Sequence, residues 1–157
     1  MLTKGDDFPI HQKPSPLAEV GSSRNFYDRY FFNGYSHEDE IFFGAVLCVY
    51  PNLNIMDAAF TIAHKGIQHN VRASRILNLE RLDTVVGPIQ VKVIEPLQKL
   101  QVLVNDKDSG INVDITFDGF TEVLQEPQMY LYDGPRKTMD TCRMVQHGSW
   151  TGQIKLE

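Results

Sequence analysis

The segment INVDITFDG, residues 111–119, alternates without a break. Ile111, Val113, Ile115 and Phe117 share one parity, and Asn112, Asp114, Thr116 and Asp118 share the other. A period of two suits a strand, whose successive side chains point to opposite faces, and a helix cannot use it. The same pattern places Ile89, Val91 and Val93 opposite Gln90 and Lys92, and sets Leu100, Val102 and Val104 against Lys99, Gln101 and Asn105. Three successive strands with one dry and one wet face constrain the chain to an antiparallel sheet folded around a single core. A chain of 157 residues is enough for one such domain.

Further strands are expected over 26–35, 41–50, 55–63, 67–76, 129–132, 139–147 and 149–156, the last two meeting at His147–Gly148. His64–Lys65–Gly66 makes a hairpin turn with a glycine free to take positive φ. Leu77–Leu82 could form one helical turn. EPLQKL, residues 95–100, is a Pro-bounded turn. Residues 1–23 read as an extended polar lead-in and 24–157 as the folded domain. Nine or ten short strands joined by tight turns predict an all-β antiparallel barrel or a strongly bent sheet, since closure removes exposed edges.

The early strands break the one-wet-face rule. RNFYDRYFFNGYS, residues 24–36, carries rings on both parities with Asp28, Arg29 and Asn33 among them, and IFFGAVLCVY, residues 41–50, is apolar on both faces. A two-sided apolar sheet implies a covered outer flank over strands 26–50. A charge among rings costs several kcal/mol unless paired. Asp28 and Arg29 point oppositely within a strand, so each needs a partner from elsewhere: Arg72 or Arg75 for Asp28, and Asp57 for Arg29.

The net charge of −5 and the lack of a basic run argue against nucleic acid. Cys48 and Cys142 read as buried reduced thiols. The N-terminal segment has no apolar signal region and no window approaches a membrane span, so a cytoplasmic setting is expected. His37 and His64 read as solvated turn residues, no ligand spacing suggests a metal, and no phosphate-loop, dinucleotide or nucleophile-elbow signature implies a cofactor or an activated serine. The acidic pair Asp6–Asp7 reads as tail charge.

RNFYDRYFFNGYS, YPNLNIMDAAFTIAHKGIQHNVRASR and VGPIQVKVIEPLQKLQV together resemble the first lobe of the lipocalin-like carotenoid 1,2-hydratase (hydroxyneurosporene synthase) and AttH-like group. The resemblance covers about residues 20–157, with no counterpart of the R-D-R-S-W-G segment that leads into the family's second lobe. It implies a lipocalin-like β-barrel, an apolar isoprenoid or lipid-like ligand, and a second lobe or another copy over strands 26–50. Hydration of an isolated alkene, a lyase reaction, needs a carboxylic acid held protonated by an apolar site and rings that stabilise a cation; the same cavity would serve a cyclase that folds an isoprenoid-like polyene into a ring. By residue type, Asp28 and Asp57 are the candidate acids. Arg29, Tyr30, Phe32, Asn33, Phe43, Phe60, His69 and Arg72 are the candidate ligand-binding residues. A carrier with the same cavity, and an assembly lobe whose cavity is filled by side chains, are the alternatives.

Overall fold

Alternation along the chain is realised as two antiparallel sheets. The computed structural model describes residues 2–9, 24–36, 38–80 and 82–156. The first sheet runs β1 (Asp28–Ser36), β2 (Ile41–Tyr50), β3 (Ile55–His64) and β4 (Ile67–Ile76), in that order. The second contains β5 (Val85–Val86), β6 (Ile89–Glu95), β7 (Lys99–Asp106) and β8 (Ile111–Gly119), with β13 (Gly148–Leu156) on the far side of β8. Between β8 and β13 the chain makes an arm. In it β9 (Leu124–Gln125) pairs with β12 (Met144–Val145), and β10 (Met129–Asp133) pairs with β11 (Arg136–Thr141).

The inner faces are the apolar parities seen in the sequence. Phe43, Ala45, Leu47 and Val49 of β2 lie beside Met56, Ala58, Phe60 and Ile62 of β3, and pack against Ile89, Val91, Val102, Val104, Ile111, Val113 and Ile115. Leu47, Val49, Met56, Ile62, Val86, Val102 and Ile111 have no exposed surface. Each side chain of this size contributes roughly 1.5–3 kcal/mol by leaving water. The space expected to be a ligand cavity is therefore occupied by the core. Phe43 and Phe60, expected to line it, stack on each other at 5.9 Å within that packing.

Two seams join the sheets. At one, the Arg75 guanidinium donates to the carbonyls of Val85 (2.7 Å), Ile76 (2.9 Å), Leu77 (3.1 Å) and Asp83, and its Nη2 lies 3.5 Å from the Asp83 carboxylate. At the other, Trp150 of β13 donates its indole N–H to the Asn33 carbonyl of β1 at 3.1 Å. Its ring lies 5.2 Å from both Phe43 and Phe117 and 5.8 Å from Phe32. Gly34 makes this approach possible, because a Cβ there would sit 2.5 Å from the Phe43 ring and 2.8 Å from Trp150. Side chains bridge both seams, and no strand ladder crosses either among the described residues, so neither sheet closes into a barrel.

Strand positions agree closely with the alternation, and the Lys65–Gly66 hairpin has positive φ at both residues, as a two-residue turn of the right twist requires. Four local expectations change. Residues 139–147 divide into β11 and β12. β13 pairs with β8 from Gly148↔Gly119 to Leu156↔Ile111 rather than with its sequence neighbour. The long pairing places Ile154 and Leu156 against the core, which the exposed arm could not offer. No helix forms over 77–80; instead the Leu77 N–H donates to the Asn54 carbonyl (3.0 Å) and the Asn78 N–H to the Asn54 side chain (3.1 Å). Residues 4–7 of the expected extended lead-in form a 3-10 turn, and 10–23 lie outside the described residues, as does His37. No helix among the described residues is long and apolar enough to cross a membrane.

Replacing Trp150 separates packing from hydrogen bonding at the second seam. Trp150→Phe should lower unfolding free energy by about 1 kcal/mol, the worth of one hydrogen bond. Trp150→Ala should lower it by about 3 kcal/mol. Urea unfolding followed by circular dichroism measures both.

Candidate functional site

The more enclosed concavity lies beside the edge of β1 that has no ladder partner among the described residues. It is a cleft of about 380 Å³ bounded by Tyr27 and β1 over residues 28–32, the N-terminal turn over 6–9, and the base of the arm over 140–145, with Leu2, Leu100 and Glu126 completing it. Such a volume is within the range of small-ligand sites.

Local chemistry holds the walls in place. The Asp6 carboxylate accepts from the Thr3 N–H (2.6 Å) and hydroxyl (2.9 Å) and so caps the first turn. Asp7 behaves differently from the tail charge expected of it: it is 4% exposed. Its carboxylate accepts from the Leu97 N–H, and its carbonyl accepts from the Tyr30 hydroxyl. Leu97 has positive φ in the β6–β7 turn, and its carbonyl accepts from the Gln146 side chain at 3.0 Å, which also reaches the Thr121 carbonyl at 2.8 Å. One turn thus anchors both the N-terminal wall and the arm wall.

Burial pushes the Asp7 carboxyl above the usual carboxylate range, against the opposing pull of the Leu97 N–H. Burial, followed by the charges of Asp7 and Asp28, raises the Tyr30 phenol far above its ordinary value, so it remains a donor. On the rim, Arg143 pairs with Glu126 at 2.8 Å and Lys137 with Asp140 at 2.9 Å. The Arg29 guanidinium sits 5.5 Å over the Tyr27 ring.

Of the residues singled out from sequence, Asp28, Arg29, Tyr30 and Phe32 line this cleft. Asn33 contributes its carbonyl to the Trp150 seam. Phe43 and Phe60 belong to the core. His69 lies opposite Ile62 on β4, half-buried. Asp57 and Arg72 border a shallow depression on the outer face of the first sheet. Strand register puts Asp28 opposite Val49 and Asp57 opposite Cys48, on opposite faces, so the two carboxylates do not meet. Cys48 stands in the cross-strand row between Arg29 and Asp57. Its thiol, raised by burial, donates to Asp57 and accepts from Tyr50. Burial likewise raises the Asp57 carboxyl. Arg75, one partner expected for Asp28, is committed to the β4–β5 seam. Sequence reasoning did not single out Asp7, Leu100, Glu126 or Arg143. The one available signal was Thr3-x-x-Asp6 before Pro9, a capping box that marks an ordered turn rather than a tail.

These features define an all-β protein of two antiparallel sheets with a recessed site at one sheet edge. The chain belongs to a family of unknown function (DUF8625), matched over residues 2–157. No curated protein and no solved structure shows significant similarity to it.

The raised Asp7 carboxyl sets a direction for pH dependence. Near pH 3 Asp7 is protonated whether folded or unfolded and contributes no difference. As pH rises past the ordinary carboxylate range the unfolded chain ionises first, so stability falls until the folded group also ionises. Asp7→Asn should remove that loss. Urea midpoints measured from pH 3 to 8 should show the variant gaining on the wild type with rising pH.

Proposed function

We infer that this protein is a non-catalytic binding module that receives an amphipathic molecule in the cleft beside β1. The observation that carries this reading is the pairing of an apolar floor, Tyr30, Phe32, Leu100 and Met144, with a carboxylate-rich rim in one recess. The core between the sheets is filled and leaves the edge cleft as the place for a ligand. The carboxylates of the rim favour a neutral or cationic group on the ligand.

Titration with the neutral apolar fluorophore N-phenyl-1-naphthylamine tests this. Binding should saturate, weaken tenfold or more in Met144→Glu, and be unchanged in Phe42→Glu on the outer face. Equal affinity in both variants would remove the cleft from the reading.

The same reading includes a cover on the outer face of β1 and β2, either a second lobe or another copy. Phe31, Tyr35 and Phe42 are 64%, 71% and 50% exposed there, and exposed rings gathered on one sheet face are a common feature of interaction surfaces. If another copy is the cover, sedimentation velocity should show concentration-dependent association that Phe42→Glu abolishes.

A further inference from the structure

We propose that the cleft binds an extended, basic peptide by adding it as a strand to the free edge of β1. This rests on the cleft being the binding site and specifies what enters it.

The backbone supplies the first argument. β1 is the terminal strand of its sheet, with β2 as its ladder partner among the described residues. In an antiparallel strand the N–H and C=O of one residue point the same way, and those of the next residue point the opposite way. The Asn33 carbonyl meets the Trp150 indole across the free edge. Alternation therefore turns the N–H and C=O of Phe31 and Arg29 toward that same edge, where β1 over 27–32 lines the cleft. Two residues in this orientation present two donors and two acceptors spaced for a pairing strand. Proteins normally blunt such an edge or use it.

Charge supplies the second. Glu126 is matched by Arg143 and Asp140 by Lys137 on the rim, which leaves Asp6 and Asp28 against Arg29 as the charge excess of the cleft. A cationic segment is favoured over an acidic one. The apolar floor accepts alternate side chains of a strand, since neighbouring residues of a bound peptide face opposite sides.

Trp150 explains why no second ladder forms on this edge among the described residues. It meets β1 at Asn33, near the end of the strand, and the arm then leads the chain away before β13 begins. The opposite wall, residues 140–145, stands across a gap from β1.

The test uses an acetylated, amidated pentapeptide of alternating lysine and valine, its glutamate–valine counterpart, and a fully backbone-N-methylated lysine–valine version. The lysine peptide should bind saturably by calorimetry and slow hydrogen exchange at the Arg29 and Phe31 amides. The acidic and N-methylated peptides should each bind at least tenfold more weakly. Phe31→Pro removes an edge-facing N–H without breaking the ladder to β2 and should reduce affinity at least tenfold. If that variant does not fold, the N-methylated peptide decides the point. Equal binding of the N-methylated peptide would overturn strand addition, and equal binding of the acidic peptide would overturn the basic specificity. Failure of the lysine peptide while N-phenyl-1-naphthylamine still binds would overturn this inference alone; failure of both would also remove the binding reading. Slow exchange at Arg29 and Phe31 in the free protein would show the edge already occupied and would likewise overturn it.

Discussion

Trp150 is the contact on which the rest of the arrangement depends. An antiparallel meander with apolar inner faces must bring its first and last strands into some relation, and here one indole does so. The ring packs against Phe32 and Phe43 of the first sheet and Phe117 of the second, while its N–H is satisfied by the Asn33 carbonyl. The indole is half-buried, and its bond to Asn33 contributes about 1 kcal/mol. The bond therefore fixes the direction in which the backbone of β1 faces as well as its position. Gly34 is the complementary half of the device, since any side chain there would collide with both Phe43 and Trp150. A side-chain bridge makes no ladder along this edge of β1 among the described residues, where a continuous strand pairing would have run along it.

The second structural commitment lies around Leu97. A carboxylate placed where Asp7 sits would be strongly destabilising if nothing met it. The Leu97 N–H meets it, and the same residue's carbonyl receives Gln146. Two segments distant in sequence, 6–9 and 140–146, are thus held by one turn of the second sheet. They form two of the walls of the cleft. Had both walls packed apolar side chains together, hydrophobic contact would have closed it.

Much of the fold was legible in the sequence because alternation is a direct physical record of a half-buried strand. β2, β4 and β8 fall where residues 41–50, 67–76 and 111–119 indicated. What alternation does not encode is pairing at a distance. Residues 139–147 have strand-like composition, yet the break at Cys142–Arg143 and the return of β13 to β8 depend on the core contacts of Ile154 and Leu156. The two-sided apolar character of β1 and β2 was visible, and the outer rings are exposed among the described residues. Four of the residues named from sequence line the cleft, because charged groups among rings in RNFYDRYFFNGYS mark a strand at a boundary. Asp7 escaped notice because a carboxylate near a chain terminus looks like any solvated charge until its tertiary donor is known.

Parity also limits what chemistry the first sheet can perform. In a strand pair, opposed residues share a face, so Cys48 and Asp57 meet while Asp28 belongs with Val49 on the other side. An acid on each face cannot act on one substrate, because several ångströms of hydrogen-bonded backbone lie between them. The inner face is filled by Phe43, Phe60 and their neighbours, and the outer face holds Asp57 within a hydrogen-bonded group with Cys48 and Tyr50. The edge is the third surface of a sheet, and on β1 it is the one left open to a recess. Main-chain donors and acceptors do not depend on side-chain identity, so an edge site can recognise a partner's backbone while the surrounding carboxylates select its charge.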